Sequence, residues 1–238
     1  MPGYQTKQES IAITGVANLL MRSLLNRQQF SDPLGAAERL GISSASWPIF
    51  GLLWPSGLQL ALRIAARVLR PGEQVLEMGC GLALASLVGH RRGMAITASD
   101  KHPLAALFLA HNLRLNGLPA MNYRHGEWAL PAEPQARVQA QEGARWTGAL
   151  QQRYDLLIGS DLLYERDAGV MLAAFIGRHA APAAEVWITD PNRGNRPAFH
   201  RGMAELGFAL VEARLDTPAT AQAAAYKGRM LTYTRGAA

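Results

Sequence analysis

Short apolar runs alternate along the chain with segments of helical periodicity, and this alternation predicts an α/β protein. Seven segments have the length and composition of strands. They are Val75–Met78, Met94–Ser99, Asn122–Arg124, Tyr154–Ser160, Val186–Thr189, Phe208–Leu215 and Met230–Thr234. Helical patterns occur at Gly57–Arg70, Pro103–Asn116 and Asn195–Leu206. Strands that alternate with helices are typical of a doubly wound sheet, and we expect one such domain over residues 47–238.

The first 46 residues precede this domain and are predicted to form an extension. Two short apolar segments between Ile11 and Ser23 flank a Gly15–Asn18 turn, which favours a β-hairpin over an N-terminal helix. Asp32-Pro33 then caps a short helix that ends at Gly41. Such an extension either covers the mouth of an active site or packs on the core, and the sequence leaves both open.

An aromatic loop and an arginine-bearing helix connect the extension to the first core strand. The loop Trp47–Gly57 carries two tryptophans, and Trp54 is expected either to line a ligand crevice or to fill the core. In the helix that follows, apolar residues share one face and three arginines another. Those arginines, Arg63, Arg67 and Arg70, are predicted to form a solvated face, with partner binding as the alternative.

The first core strand ends in a glycine-rich turn, E-M-G-C-G-L-A at residues 77–83. Gly79 and Gly81 let the backbone turn tightly and approach a ligand before the next helix begins. A dinucleotide site would need a third glycine where this chain has Leu84. Glu77 instead places a carboxylate before the turn, where it suits a cationic ligand better than a pyrophosphate. S-adenosylmethionine (SAM) carries an ammonium and a sulfonium, so SAM is the favoured cofactor.

The next two strand ends complete the predicted cofactor site. Asp100 follows the second strand, about twenty residues after the glycine turn, where a carboxylate can accept both ribose hydroxyls. After the third strand, Trp128 is predicted to pack on the adenine and Glu127 to meet its amino group. The alternative for the glycine turn and Asp100 is a buried turn and a helix cap in an unrelated α/β protein.

The residues after the fourth strand, D-L-L-Y at 161–164, are predicted to carry the chemistry. This strand should lie beside the first one, on the other side of the topological switch point, so Asp161 and Tyr164 would face the reactive methyl group. A lysine amine must lose its proton and be aligned before it accepts a methyl group. Asp161 is expected to hold or help deprotonate that amine, and Tyr164 to offer a hydrogen bond and an aromatic face.

Composition narrows the class of protein. A chain of 238 residues with 49% hydrophobic and 18% charged residues is typical of a globular protein. The single cysteine, Cys80, excludes an internal disulfide and a multi-cysteine zinc site, and we expect no metal. The N-terminus lacks a signal-peptide pattern and the apolar region 47–69 is interrupted by prolines and charges, which predicts a cytoplasmic protein without a membrane span. A net charge of +6 favours anionic partners, either nucleic acid or an acidic protein face.

Taken together, these motifs resemble methyltransferase family 16, a group of seven-strand SAM-dependent methyltransferases that includes many protein lysine methyltransferases. The resemblance covers roughly residues 45–235 and departs from the usual glycine pattern at Ala83. It is carried by W-P-S-G at 54–57, E-M-G-C-G at 77–81, G-E-W at 126–128, D-L-L-Y at 161–164 and D-P-N-R at 190–193. It implies a Rossmann-like, mostly parallel sheet of order 3-2-1-4-5-7-6 with strand 7 antiparallel.

The resemblance also assigns roles to individual residues. Those implied to bind SAM are Trp54, Glu77, Gly79, Gly81, Asp100, Trp128 and Ser160. Asp161 and Tyr164 would serve the acceptor, which is most simply a lysine of an unidentified partner protein. A small-molecule or nucleic-acid methyltransferase is the first alternative, although Leu162-Leu163 replaces the proline pair common in base methyltransferases. A SAM-binding scaffold that has lost catalysis is the second.

Several other polar residues receive structural interpretations. Ala129–Gln152 is polar and aperiodic, and it is predicted to be a surface insertion. His111, Asn112 and Asn116 are expected to be surface or capping groups. Asp190 and Arg193, after the fifth strand, are expected to shape the pocket rim or to pair with each other.

Overall fold

A computed structural model describes residues 3–128, 150–164, 167–219 and 225–236. The predicted insertion at 129–152 lies outside these residues except for its last three positions. The helices are α1 (Ala36–Arg39), α2 (Pro55–Ala66), α3 (Leu84–Arg91), α4 (Ala105–Leu115), α5 (Ala168–His179) and α6 (Arg196–Glu205). A 3-10 helix, Trp47–Gly51, precedes α2.

The strands form a two-stranded hairpin and a seven-stranded sheet. The hairpin consists of β1 (Thr6–Ile11) and β2 (Leu19–Leu24). The sheet contains β3 (Gln74–Met78), β4 (Ala95–Asp100), β5 (Asn122–His125), β6 (Tyr154–Ser160), β7 (Ala180–Asp190), β8 (Ala209–Thr217) and β9 (Tyr226–Arg235). Its order is β5-β4-β3-β6-β7-β9-β8, and β9 is antiparallel to both of its neighbours. Counted from β3 as the first core strand, this is the predicted order 3-2-1-4-5-7-6.

Apolar side chains cover both faces of the sheet, as expected for a doubly wound fold. On β3, Val75 belongs to the cluster on one face, while Leu76 and Met78 belong to the cluster on the other. The first cluster also includes buried residues of α2, α3 and α4, and the second includes those of α5 and α6. The carboxyl ends of β3, β4 and β6 are thereby left to form the site described below.

Two asparagines of α4 hold the N-terminal hairpin against the core. Asn112 Oδ1 accepts the Arg22 N–H at 2.7 Å, and its Nδ2 donates to the Arg22 carbonyl at 3.3 Å. Asn116, one turn later, makes the same pair of bonds to Leu20, at 2.9 and 2.8 Å. The two amides thus satisfy backbone groups of β2 that β1 does not reach. The prediction of a surface role for Asn112 is wrong, because its side chain is buried under the hairpin.

Replacing Asn112 with alanine should destabilise the hairpin. The change leaves the N–H and carbonyl of Arg22 without partners in a partly buried position, which costs about 1–3 kcal/mol. Urea unfolding should show a lower midpoint, and hydrogen exchange should speed up in β2 before it does in β3. The matched control is Asn122→Ala, at an exposed position on the edge strand β5. Equal exchange rates for β2 in parent and variant would contradict this anchoring role.

The prediction that Arg63, Arg67 and Arg70 form a solvated face holds for Arg70, whose side chain is 62% exposed, and is wrong for Arg67. The helix ends at Ala66, earlier than predicted, and the chain turns so that Arg67 is only 9% exposed. Arg67 pairs with Glu73 and Glu185, and its guanidinium lies 4.6 Å from the centre of the Trp187 ring. Arg63 lies over the same ring at 4.2 Å. Acids on other elements supply the counterions, so sequence spacing alone did not reveal this packing.

One segment of the described residues, Trp47–Ala66, has the length and mean hydropathy (1.3) of a membrane span. Buried helices of globular proteins have these properties too. Here Leu60, Ala61 and Ile64 of α2 are fully buried in the core against the sheet. That the chain does not enter a membrane stays a prediction.

Candidate functional site

A cavity of about 460 Å³ opens at the carboxyl ends of the central strands. Its volume is within the range of small-molecule sites. All nine residues that the sequence analysis assigned to the cofactor or the acceptor line it, including the glycine turn and the D-L-L-Y segment. They are Trp54, Glu77, Gly79, Gly81, Asp100, Trp128, Ser160, Asp161 and Tyr164. The topology therefore brings together residues from five separate segments of the chain.

The glycine turn forms the floor of the cavity in an alternating left-handed conformation. Gly79 and Gly81 have φ values of 55° and 51°, a region that favours glycine. A methyl group on Gly81 would lie 2.7 Å from the carbonyl oxygen of Phe50, which is backbone and cannot easily move. Glycine at 81 is thus required both by backbone conformation and by the close approach of the 3-10 helix.

Ala83 occupies the third left-handed position of this turn, with φ of 58°. It directly precedes α3, and its side chain is fully buried in the core. A left-handed alanine costs roughly 1–2 kcal/mol, which burial of its methyl group partly offsets. The turn therefore keeps the G-x-G-x-G geometry even though the third glycine is absent.

Glu77 is a buried acid beneath the turn. It is 3% exposed, and its Oε2 accepts the N–H of Ser86 in the first turn of α3 at 2.8 Å. Burial raises the pKa of Glu77 to about 7, and the nearby Asp100 carboxylate adds to that rise, while hydrogen bonds from Ser86 oppose it. Near neutral pH the side chain is thus poised between its two states, and a cation in the cavity would favour the ionised one.

The raised pKa of Glu77 predicts a stability that falls as the pH increases. Its ordinary pKa is 4.5, so the stabilisation of the folded state by neutral Glu77 is complete below that pH and is lost as the pH rises through about 7. The free energy of unfolding should fall by up to about 3 kcal/mol between pH 5 and pH 8. Chemical denaturation across this range tests the effect, and Glu77→Gln should flatten the slope. An unchanged slope in that variant would assign the pH dependence to another group.

Asp100 fastens the glycine turn to the end of β4. Its Oδ2 accepts the N–H of Gly81 at 2.8 Å, and its Oδ1 accepts the N–H of His102 at 2.7 Å. Burial raises the pKa of Asp100, and these backbone hydrogen bonds oppose the rise. Each carboxylate oxygen keeps a lone pair beyond these bonds, so the group retains the capacity to accept hydroxyl donors from a ligand.

Two tryptophans and a serine also line the cavity. The Trp54 indole donates from Nε1 to the carbonyl of Ile49 at 2.9 Å, which fixes the ring. The Trp128 ring lies beside the turn, 3.4 Å from where a Cβ on Gly79 would stand. Ser160 ends β6, and its Oγ lies 3.6 Å from the Cβ position of Gly57. Glu127 also lines the cavity next to Trp128.

Asp161 also lines the cavity, and an arginine holds it in place. Arg193 donates from Nε and Nη2 to the two carboxylate oxygens of Asp161, at 2.9 and 3.0 Å. Asp161 itself has a positive φ of 54°, and its N–H donates to Thr189 at 2.8 Å. The expected pairing of Asp190 with Arg193 is present, but it uses the backbone: Asp190 accepts the backbone N–H of Arg193 at 2.8 Å. The Arg193 guanidinium instead reaches Asp161.

Tyr164 and Arg193 line the cavity near Asp161, and both are partly exposed at the surface. The side chain of Arg193 is 41% exposed and Tyr164 is 40% exposed. The Asp161 side chain, in contrast, is 13% exposed. An acceptor group that enters past Tyr164 therefore meets a carboxylate backed by a guanidinium.

The end of the extension and the 3-10 helix that follows it supply part of the cavity wall. Phe50 stacks on His102, with ring centroids 3.6 Å apart and planes inclined by 12°. Burial lowers the pKa of His102 to about 3, so the imidazole is neutral near pH 7. Gly41, Ile42 and the 3-10 helix line the same side. The sequence analysis did not assign His102 to the site. Its position two residues after Asp100 is the signal that could have identified it.

Solved structures of similar fold were found by comparison. A ribosomal protein L11 methylase from Lactobacillus delbrueckii subsp. bulgaricus is 17% identical, with a TM-score of 0.51 over 75% of this chain and 78% of that one. A magnesium protoporphyrin IX methyltransferase from Synechocystis PCC 6803, with bound SAM, is 16% identical, with a TM-score of 0.52 over 76% and 78%. A methyltransferase from Pyrococcus furiosus is 15% identical, with a TM-score of 0.55 over 84% and 97%.

At these identities the comparison establishes the fold and leaves the reaction open. No protein-family model matches the chain, and no curated protein does either. The finer resemblance to methyltransferase family 16 thus stays a prediction. The chain has the seven-stranded Rossmann-like fold of SAM-dependent methyltransferases.

Proposed function

We propose that this protein is a SAM-dependent methyltransferase that modifies a protein side chain, most simply a lysine amine. The observation that carries the proposal is the single cavity shared by the glycine turn, Asp100 and the Asp161–Tyr164 segment. The glycine turn and Asp100 suit a nucleoside with a cationic tail, and the Asp161–Tyr164 segment suits a polar acceptor. Methyl transfer requires both partners in one enclosed space, aligned with each other.

The residues around the glycine turn fit SAM. The turn at Gly79 and Gly81 contributes backbone to the cavity wall, and Asp100 has acceptor capacity for ribose hydroxyls. Trp54 and Trp128 offer flat apolar surfaces, and Glu77 places a carboxylate near a cationic group. When bound, SAM supplies an electrophilic methyl group on a sulfonium.

The residues around Asp161 fit an amine acceptor. Asp161 is anchored by Arg193, so its carboxylate is fixed in position and can hold an incoming ammonium on its remaining lone pairs. Tyr164 offers a hydroxyl and an aromatic face beside it. The partial exposure of Tyr164 and Arg193 favours an acceptor that projects from a larger molecule. The positive net charge favours an acidic face on that molecule, which we expect to be cytoplasmic.

A base methyltransferase is less well supported. Leu162 and Leu163 stand where those enzymes often have prolines, and both leucines are buried in the core. Leu162 packs over the backbone of Gly79 and Gly159, where added Cβ atoms would lie 2.7 and 2.4 Å from its side chain. The two leucines at this strand end therefore pack inside the protein.

Transfer of labelled methyl from SAM into a cell lysate tests the proposal. Purified protein is incubated with labelled SAM and lysate, and the products are treated with protease or with nuclease. We expect a labelled band that protease removes and that an Asp161→Ala protein does not produce. Amino-acid analysis of the band should then yield methylated lysine. Label that survives protease but not nuclease would identify a nucleic-acid acceptor, and SAM binding without any label would identify a non-catalytic scaffold.

A further inference from the structure

The strand β8 at the edge of the sheet has an unusually open surface. It runs for nine residues, and all of them are exposed except Leu215 and Thr217, which are partly buried. Val211 is 65% exposed and Leu210 is 39% exposed. Within the described residues, β8 pairs with β9 on one side and with no strand on the other. A long edge strand with exposed apolar side chains and unpaired backbone groups can pair with another strand.

We propose that β8 is a dimerisation edge that pairs antiparallel with β8 of a second copy of this chain. In an antiparallel pair, facing residues are either both hydrogen-bonded or both not. A strand that pairs with itself about a twofold axis must therefore place one residue opposite its own copy. Ala213 is the middle residue of β8, so an axis at Ala213 lets the whole strand pair.

This register is complementary in charge and in apolar character. Glu212 of each copy then faces Arg214 of the other, and Val211 faces Leu215, while the small Ala213 side chains meet at the axis. An axis at Glu212 would put two glutamates face to face, and an axis at Arg214 would do the same with two arginines. Facing like charges are destabilising in a sheet and facing opposite charges are stabilising. Of the registers centred on Glu212, Ala213 and Arg214, the one at Ala213 is therefore favoured, and it is the one in which the whole strand pairs.

The contacts of Arg214 inside the chain support a partner of opposite charge. Arg214 lies directly opposite Arg229 on β9, a like-charge pair. Arg229 and Arg196 both pair with Glu212, whereas Arg214 takes part in no ion pair among the described residues. A glutamate from a second copy would provide the missing counterion. A twofold contact of one strand with itself is the isologous arrangement common in homodimers.

Sedimentation of the purified protein and of charge-reversed variants tests the proposal. The parent should sediment at twice its chain mass of 25.8 kDa. Arg214→Glu and Glu212→Arg each place like charges opposite each other, so each alone should raise the dimer dissociation constant at least about 100-fold. Mixed in equal amounts, the two variants again have opposite charges facing each other and should form a heterodimer. Arg27→Glu, a matched reversal at an exposed site on the extension, should leave the parent dimer intact.

Three results would overturn the proposal. They are a parent that is monomeric at its highest soluble concentration, an Arg214→Glu protein that remains a dimer, and a mixture that stays monomeric while both variants keep the parent's circular dichroism and melting temperature. A variant that has lost its fold is replaced by Val211→Lys, which puts a charge opposite Leu215 and should also give a monomer. If that protein is folded and still dimeric, another surface joins the copies.

Discussion

Replacement of Asp161 with alanine should lower the rate of methyl transfer by at least about 100-fold, the scale of removing a positioned acid–base group. SAM affinity should stay within about twofold of the parent, because in the proposed function Asp161 serves the acceptor while the glycine turn and Asp100 hold the cofactor. The measurement is single-turnover transfer to the acceptor identified from lysate, together with SAM titration by calorimetry.

Two further variants separate the chemistry of Asp161 from its structural contacts. The residue has a positive φ, a conformation that asparagine tolerates better than alanine. Asp161→Asn also keeps a hydrogen-bond acceptor for Arg193, so it should fold as the parent does and still be inactive. Asp155→Ala, an exposed change at the other end of β6, should retain full activity. Loss of SAM binding and transfer together in Asp161→Asn would remove the acceptor role.

The second large effect is expected at Asp100. Asp100→Ala should weaken SAM binding by about 100-fold or more, since charge-assisted hydrogen bonds contribute about 1.5–3 kcal/mol each. It also leaves the N–H groups of Gly81 and His102 unpaired, which should loosen the glycine turn. Calorimetric titration with SAM gives the affinity, and thermal unfolding without ligand gives the separate structural cost.

A milder variant distinguishes these two contributions. Asp100→Asn keeps one carbonyl oxygen as an acceptor and removes the charge, so its SAM affinity should lie between those of the parent and the alanine variant. An Asp100→Ala protein that binds SAM as tightly as the parent would disprove the ribose assignment. Unchanged SAM affinity at Asp100→Asn together with a large loss at Asp100→Ala would show that turn geometry dominates.

Local patterns were sufficient for the elements that depend on near neighbours. The strands around Val75 and Leu157 are short apolar runs, and burial on both faces of a parallel sheet requires such runs wherever they occur. The glycine turn is equally local, because left-handed backbone at Gly79 and Gly81 is a property of those residues. The N-terminal hairpin was expected between Ile11 and Ser23 and is present, but its first strand, Thr6–Ile11, precedes the predicted segment and shares only Ile11 with it.

Prediction failed where a side chain has its partner on another element of the fold. Arg67 was expected in solvent, but Glu73 and Glu185 surround it once the chain folds. Arg193 was expected to shape the pocket rim or to pair with Asp190; it pairs with Asp190 through its backbone N–H, and its guanidinium reaches Asp161. Asn112 was expected to be a surface or capping group, and it binds a strand ninety residues earlier. In each case the deciding atoms come from another element, and no spacing along the chain records their distance.

The sequence by itself determined the class of fold, the glycine turn and the strand-end acids, because burial periodicity and backbone preference act over a few neighbouring residues. Only the tertiary structure decided that these acids share one cavity with the D-L-L-Y segment, that Phe50 of the N-terminal part closes one wall, and that Arg193 holds Asp161. Those contacts arise from strand order and loop packing, which depend on the free energy of the whole chain.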